Sequence, residues 1–191
     1  MSSINNADWW HIHQSVRAIR QGGVIAYPTE AVWGLGCDPY NEDAVLKLLD
    51  IKRRPMHKGL VLVAANLSQI DFLLEDLSQD EYDKVTANWP GPFTWILPDK
   101  KNRIPAWIKG DYSAVAVRVS AHSSVRNLTE AYGSFIVSTS ANPAAHEPAR
   151  DSLRVKTYFG EKIDYLLHGE LGDSAQPTQI RDLKSDRLVR A

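Results

Sequence analysis

Lys52-Arg53-Arg54-Pro55-Met56-His57-Lys58, followed by Gly59 and Leu60-Val61-Leu62-Val63, is the stretch on which the reading of the fold turns. Its first part is a run of cations with no acid among them, at the end of a predicted helix. Its second part is a short apolar run of the kind a buried strand uses. Upstream, Asn41 suits an N-cap, acids fill the first turn, and Val45, Leu48 and Leu49 point inward. The residue before Pro55 is pushed out of helical geometry, which ends the helix in the basic cluster. Helix, basic turn and buried strand in succession make one unit of an α/β chain.

The same alternation runs outward in both directions. Toward the N-terminus, Ile12, Val16 and Ile19 share one helical face, Gly22-Gly23 stops that helix, and Val24-Ile25-Ala26-Tyr27 is a strand cut off by Pro28. The segment from Pro28 to Pro39 reads as a loop. Toward the C-terminus, residues 67–89 read as acidic helix with a solvated face. Trp89-Pro90-Gly91-Pro92 turns into the strand Phe93 to Leu97, and residues 100–112 form a polar loop carrying Trp107. Further strands fall at Ala114 to Val119, Phe135 to Val137, Ile163 to Leu167 and Leu188-Val189. Helices are expected around Val125, Leu128 and Tyr132, closed by Gly133, and over 151–159, between Asp151 and Gly160. The expectation is one α/β domain over residues 1–191, with an open mixed sheet.

Bulk composition sets outer limits. The chain has 191 residues, 43% hydrophobic and 24% charged, and a net charge of −1, so any anion site is local rather than global. The single cysteine, Cys37, excludes an intramolecular disulfide, fits a reducing compartment and reads as a small core residue. No apolar run reaches membrane-spanning length, and Met1 to Trp10 has no signal core. A cytoplasmic location is expected. His11 and His13, two apart on a helix, point in different directions and make a poor metal pair. No Walker sequence, dinucleotide fingerprint or Gly-x-Ser-x-Gly elbow is present. Trp9, Trp10 and Trp107 suit packing as readily as base stacking.

Three stretches carry chemistry, each with a plainer reading beside it. Cations at a helix C-terminus complement its dipole, yet Pro55 and the strand after Gly59 hold Arg54 and Lys58 in place at a sheet edge. Ser138-Thr139-Ser140-Ala141-Asn142, too polar to prolong its strand, lies beyond a strand end, where open α/β sheets bind ligands; such residues also make ordinary turns. Arg118, continuing the apolar run Val115-Ala116-Val117, must face solvent or a charged partner. That partner is a ligand carboxylate or a structural acid.

Taken together these stretches resemble the YrdC-like family of threonylcarbamoyl-AMP synthases in its short form. The resemblance rests on Tyr27-Pro28-Thr29-Glu30-Ala31-Val32-Trp33-Gly34-Leu35-Gly36-Cys37-Asp38, on Lys52-x-Arg54-Pro55 with Lys58-Gly59-Leu60, and on Trp89-Pro90-Gly91-Pro92-Phe93-Thr94. Val115-Ala116-Val117-Arg118 and Ser138 to Asn142 complete it, in order and in approximate spacing. It implies a twisted sheet around a positively charged cavity. It also implies condensation of L-threonine, bicarbonate and ATP to L-threonylcarbamoyl-AMP and pyrophosphate. The product passes to a partner complex that modifies tRNA.

Carried across by position, the resemblance implies nucleotide contacts from Lys52, Arg54, Lys58, Ser140, Asn142 and Arg190, with Lys52 and Arg54 catalytic. It implies threonine contacts from Thr29, Arg118, Ser138 and Thr178. No protein metal site is implied; Mg²⁺ would bridge the leaving pyrophosphate. Val63 stands where longer members often carry a histidine, Pro148 where they often carry a hydroxyl, and their second domain has no counterpart here. Asn142 to Arg150 is the expected lid. The rival reading is an RNA-binding module whose basic concavity grips tRNA or double-stranded RNA without chemistry; the network of Thr29, Ser138, Ser140 and Asn142 speaks against it.

Overall fold

The computed structural model describes residues 6–174, 176 and 178–190, with nothing to be said of the side chains of residues 6, 7 and 190. In chain order the elements are α1 (Asn6–Arg20), β1 (Ile25–Pro28), β2 (Trp33–Gly36), α2 (Glu42–Lys52), a 3₁₀ turn (Met56–Lys58) and β3 (Val61–Ala64). There follow α3 (Asp71–Leu74), α4 (Gln79–Thr86), β4 (Phe93–Pro98), α5 (Ala106–Lys109), β5 (Ala114–Val119) and α6 (Ser123–Tyr132). The chain closes with β6 (Ile136–Ser140), α7 (Ser152–Phe159), β7 (Tyr165–Leu166), β8 (Gln179–Asp182) and β9 (Leu188–Arg190).

Among the described residues the strands form one mixed sheet in the order β7-β1-β2-β6-β3-β5-β4-β8-β9. The period of two along each strand divides the apolar side chains between two faces. Leu62 and Ala64 of β3, Val115, Val117 and Val119 of β5, Ala26 of β1 and Val137 of β6 enter the larger core. There they meet Leu48 and Leu49 of α2, Leu73 and Leu74 of α3, Val85 of α4, Ile108 of α5 and Phe159 of α7. Val63, Ile25, Tyr27 and Ile136 enter the smaller core, under Ile12, Val16 and Ile19 of α1 and Val125 and Leu128 of α6. The second face is thus covered only in part. Where α1 and α6 stop, the sheet lies open, and its residues there need not be apolar.

Helix α2 ends one residue earlier than proline sterics require. Arg53 takes the left-handed conformation (φ 52°) and its N–H bonds to the Asp50 carbonyl, while Arg54 N reaches the Leu49 carbonyl at 2.9 Å. This pair of bonds is the usual closure of a helix C-terminus. The basic cluster therefore divides: Lys52 is the last helical residue, Arg53 turns outward, and Arg54 begins the return toward the sheet.

Several expectations need correction. The Pro28–Pro39 segment contains β2, paired antiparallel to β1 with Tyr27 opposite Gly34. Ser138 to Ser140 prolong β6 instead of ending it, with Leu35 opposite Thr139 and Gly34 opposite Ser140. Residues 67–89 are not one helix: Ser78 starts α4 anew, its hydroxyl and the Glu81 carboxylate making a reciprocal cap. The polar loop of residues 100–112 contains α5, and Gln179–Asp182 adds β8 parallel to β4.

Candidate functional site

On the uncovered face of the sheet lies a cavity of about 320 Å³. Its floor comes from neighbouring strands: Gly34 of β2, Val61 of β3, Thr94 of β4, Arg118 of β5, Ser138 and Ser140 of β6, and Ile180 of β8. Val61, Ala116 and Ser138 stand in one register row, and Val63 and Arg118 in the row beside it. Alternation thus aims Arg118, Ser138 and Ser140 at the same face without any loop. The expected site beyond the strand ends is instead a site on the sheet itself. Thr29, Pro148 and Thr178 close the walls, while Val63 sits wholly in the core.

The hydroxyls differ in what they can offer. Thr29 commits its proton to the Val32 carbonyl at 2.7 Å, so toward the cavity it is an acceptor. Beside Ser138 the Tyr27 hydroxyl donates to the Val137 carbonyl at 3.3 Å, and burial pushes that phenol far up and keeps it neutral. Thr94 and Thr178 stand with hydroxyls 3.3 Å apart. Ser140 donates to Asn142 Oδ1 at 2.6 Å, and the Asn142 amide donates onward to the carbonyls of Pro143 and His146. Asn142 therefore braces the loop after β6.

Arg118 is buried, with Nη1 3.1 Å from Glu30 Oε2, so a structural acid is present at the place where the sequence left the partner open. Its Nε is buried without a hydrogen-bond partner among the described residues. Glu30 Oε2 is likewise buried without a hydrogen-bond partner among the described residues, so the two groups meet as an ion pair. Arg118 also lines the cavity, and a planar guanidinium there suits a carboxylate.

The basic cluster is held by carbonyls. Lys52 is buried, and its ammonium donates to the carbonyls of Ser140 and Asn142, the latter at 2.8 Å. Burial first, and then the charge of Arg54, lowers its pKa from 10.5 to about 7. Arg54 donates through Nη2 to the Gly59 carbonyl at 2.8 Å, and burial lowers its pKa as well. Arg54 lines the cavity and also a second hollow of about 580 Å³, which shares Leu60, Val61 and Ile180 with the first. Lys58, Lys109, Tyr112, Asp182 and Arg187 line that hollow. Arg54 thus stands where the two meet.

The structure brings Thr29, Arg54, Arg118, Ser138, Ser140 and Thr178 to one cavity. Lys58 belongs to the second hollow, and Lys52 and Asn142 lie behind the end of β6. Arg190 has its backbone in β9, and its side chain lies outside the described residues. Sequence reasoning assigned no role to Glu30 or Thr94, although both stand inside quoted stretches, and it passed over Tyr112, Asp182 and Arg187. An acid one residue after Thr29 was the available signal for Glu30.

A family model named Sua5_yciO_yrdC and described as telomere recombination matches residues 17–191. A threonylcarbamoyl-AMP synthase of Stutzerimonas stutzeri is 50% identical over 181 residues, covering 95% of this chain and 97% of its own. One from Pseudomonas aeruginosa is 52% identical over 176 residues, covering 92% and 94% respectively. P. abyssi Sua5 complexed with L-threonine superposes with a TM-score of 0.84 at 29% identity, over 91% of this chain but 51% of that one. E. coli YciO gives 0.81 at 26% identity, over 95% and 89%.

Proposed function

The chain belongs to the Sua5/YciO/YrdC family, and we propose that its open sheet face condenses L-threonine, bicarbonate and ATP into L-threonylcarbamoyl-AMP and pyrophosphate. Relatives about half identical over nearly its whole length are named for that transfer. The observation that carries the reading is the meeting of two unlike sites at Arg54. One is a small hydroxyl-lined cavity ending on a partly engaged arginine; the other is a larger hollow with cations on its rim.

In this reading Arg118 takes the carboxylate of threonine. Thr29, with only lone pairs to offer, accepts from the nitrogen, and Ser138 and Thr178 line the rest. The amine and bicarbonate join to a carbamate with loss of water. A carbamate oxygen then attacks the α-phosphorus of ATP, the bond to the bridging oxygen breaks, and pyrophosphate leaves. No protein nucleophile takes part. The chain contributes position, exclusion of water, and cations for the charge developing on the phosphates. Arg54 at the junction serves the reacting phosphate. Lys52, Lys58, Ser140, Asn142 and Arg190 serve the nucleotide, with Lys52 and Asn142 acting through the loop after β6.

Among the described residues no group of three or more His, Cys, Asp or Glu could hold a metal ion. Magnesium would enter with ATP instead of through protein ligands, and would supply charge neutralisation on the leaving pyrophosphate beside the cations of the chain. The whole chain acts as one cytoplasmic domain in the proposal, and its product goes on to a complex that modifies tRNA. No described helix is long and apolar enough to cross a membrane.

Pyrophosphate release, measured with each of threonine, bicarbonate and ATP left out in turn, tests the reading. It should require all three. Release that persists without threonine would assign the face to another acyl or carbamoyl adenylate. No release under any condition, together with tight tRNA binding that survives high salt, would make the chain an RNA-binding module.

A further inference from the structure

We propose that Glu30 is a positioning residue for this reaction: with Ser120 behind it, it sets the guanidinium of Arg118 so that its cavity-facing side meets the threonine carboxylate. The proposal rests on the function given above and goes beyond it by naming what makes Arg118 a carboxylate receptor.

The geometry is a chain of fixed groups. Glu30 Oε2 lies 3.1 Å from Arg118 Nη1, and Glu30 Oε1 accepts from the Ser120 hydroxyl at 2.6 Å. Ser120 Oγ in turn accepts from His122 N at 3.1 Å. The backbone on either side of Glu30 is fastened as well. Gly172 N bonds to the Thr29 carbonyl at 3.0 Å and Ser174 N to the Glu30 carbonyl at 3.1 Å. A Cβ on Gly172 would stand 3.0 Å from the Cα of Glu30, so that strap passes as close as backbone allows. Glu30, Arg118 and Ser120 are all buried.

An arginine side chain has many rotamers, and a carboxylate is recognised as a planar partner only when the fork is already aimed. Paired at Nη1 with a carboxylate that Ser120 holds by its other oxygen, the guanidinium is drawn to one side of its pocket while it still lines the cavity. Glu30 does not line the cavity, whereas its neighbours Thr29 and Ala31 do. It therefore acts from behind. A structural acid meant only to neutralise Arg118 would do so whether or not Ser120 fixed its second oxygen. The Ser120 tether favours orientation as its role.

Glu30→Gln and Ser120→Ala test this, with KM for threonine, KM for ATP, kcat, direct threonine binding by calorimetry and thermal melting read for each. Misplacing a binding group by about an ångström can cost up to a hundredfold. Glu30→Gln is expected to raise the threonine KM and Kd by roughly ten- to hundredfold, with the ATP KM within about twofold. Ser120→Ala, which leaves the buried charge paired, should shift threonine the same way by a smaller factor, and it carries the test where Glu30→Gln does not fold. A merely structural role would lower the melting temperature and leave the threonine-to-ATP ratio of KM values unchanged; that result, in a parent enzyme that needs threonine, overturns the proposal. A parent that releases pyrophosphate without threonine overturns the underlying function instead, and the proposal with it.

Discussion

Replacing Lys52 by methionine separates a buried charge from the bonds it makes. Burial, and after it the charge of Arg54, lowers Lys52 from 10.5 to about 7. At ~1.4 kcal/mol per pH unit, a lysine so displaced costs the folded state on the order of 5 kcal/mol at low pH. The folded value lies below the unfolded one, so the unfolded chain holds the proton more tightly. The cost is therefore full below about pH 7, shrinks as pH rises, and is gone above 10.5. Set against it are the bonds to the carbonyls of Ser140 and Asn142. Methionine leaves both carbonyls without that donor, at ~1–3 kcal/mol each. The two effects are of similar size, so the stability of Lys52→Met at any single pH decides little.

The slope decides. Between about pH 7.5 and 9 the parent should gain ~2 kcal/mol relative to Lys52→Met, because only the parent carries the displaced lysine. Urea unfolding of both proteins at several pH values in that window measures the difference, with the other titrating groups common to both. Parallel curves, with the difference constant to within about 0.5 kcal/mol, would show an ammonium that keeps its ordinary affinity for protons. Lys52 would then not stand desolvated behind β6.

Two further substitutions bear on the same corner. If Arg54 serves a phosphate through its planar fork, Arg54→Ala should lower turnover roughly ten- to hundredfold and Arg54→Lys should restore little. Arg53→Ala, at an exposed left-handed cap, should leave turnover near the parent, and equal damage from both alanines in folded protein would make the cluster a diffuse patch. Gly110→Ala places a Cβ against the His57 carbonyl and 2.7 Å from Gly59 N, at φ +65°. It should cost ~2–3 kcal/mol, a fall of roughly 4–12 °C in melting temperature, and a Tm unchanged from the parent would show that the α5 clamp on the Met56–Lys58 turn is loose.

Much of this was legible in the chain. Apolar runs marked β1, β3, β4 and β5, and helical spacing marked α1, α2 and α6, because those elements bury their side chains against a core on at least one face; α7 was marked by its ends, Asp151 and Gly160. What escaped was the part of the sheet that faces the cavity or approaches another backbone. Trp33-Gly34-Leu35-Gly36 reads as loop because glycine usually marks a turn. In β2 the glycines answer close packing instead: a Cβ on Gly36 would meet the Tyr27 ring at 2.9 Å, and one on Gly34 would meet Thr29 Cγ2 at 3.3 Å. Ser138 and Ser140 read as a turn because they are polar. They are polar because no helix covers that stretch of β6, and the strand runs on beneath the cavity. Residues 79–86 did carry a signal, the Ser78-x-x-Glu81 cap, which marks a helix start within what composition alone makes one helix.

The two kinds of cation in the site differ in how the fold holds them, and the difference matches their proposed ligands. Arg118 is paired with a carboxylate, Glu30. Arg54 is fastened by a main-chain carbonyl, which orients a cation through its dipole without setting a counter-charge beside it. Threonine arrives as a zwitterion with no net charge, so its carboxylate needs a direction more than it needs a field. A second unneutralised cation beside its ammonium would repel it. ATP arrives with several negative charges and gains another share on the leaving phosphates as the carbamate attacks. Cations with undiminished charge are then worth most in a site from which water is excluded. One sheet face can serve both ligands because the partner behind each cation, acid or carbonyl, sets how much of its charge reaches the substrate.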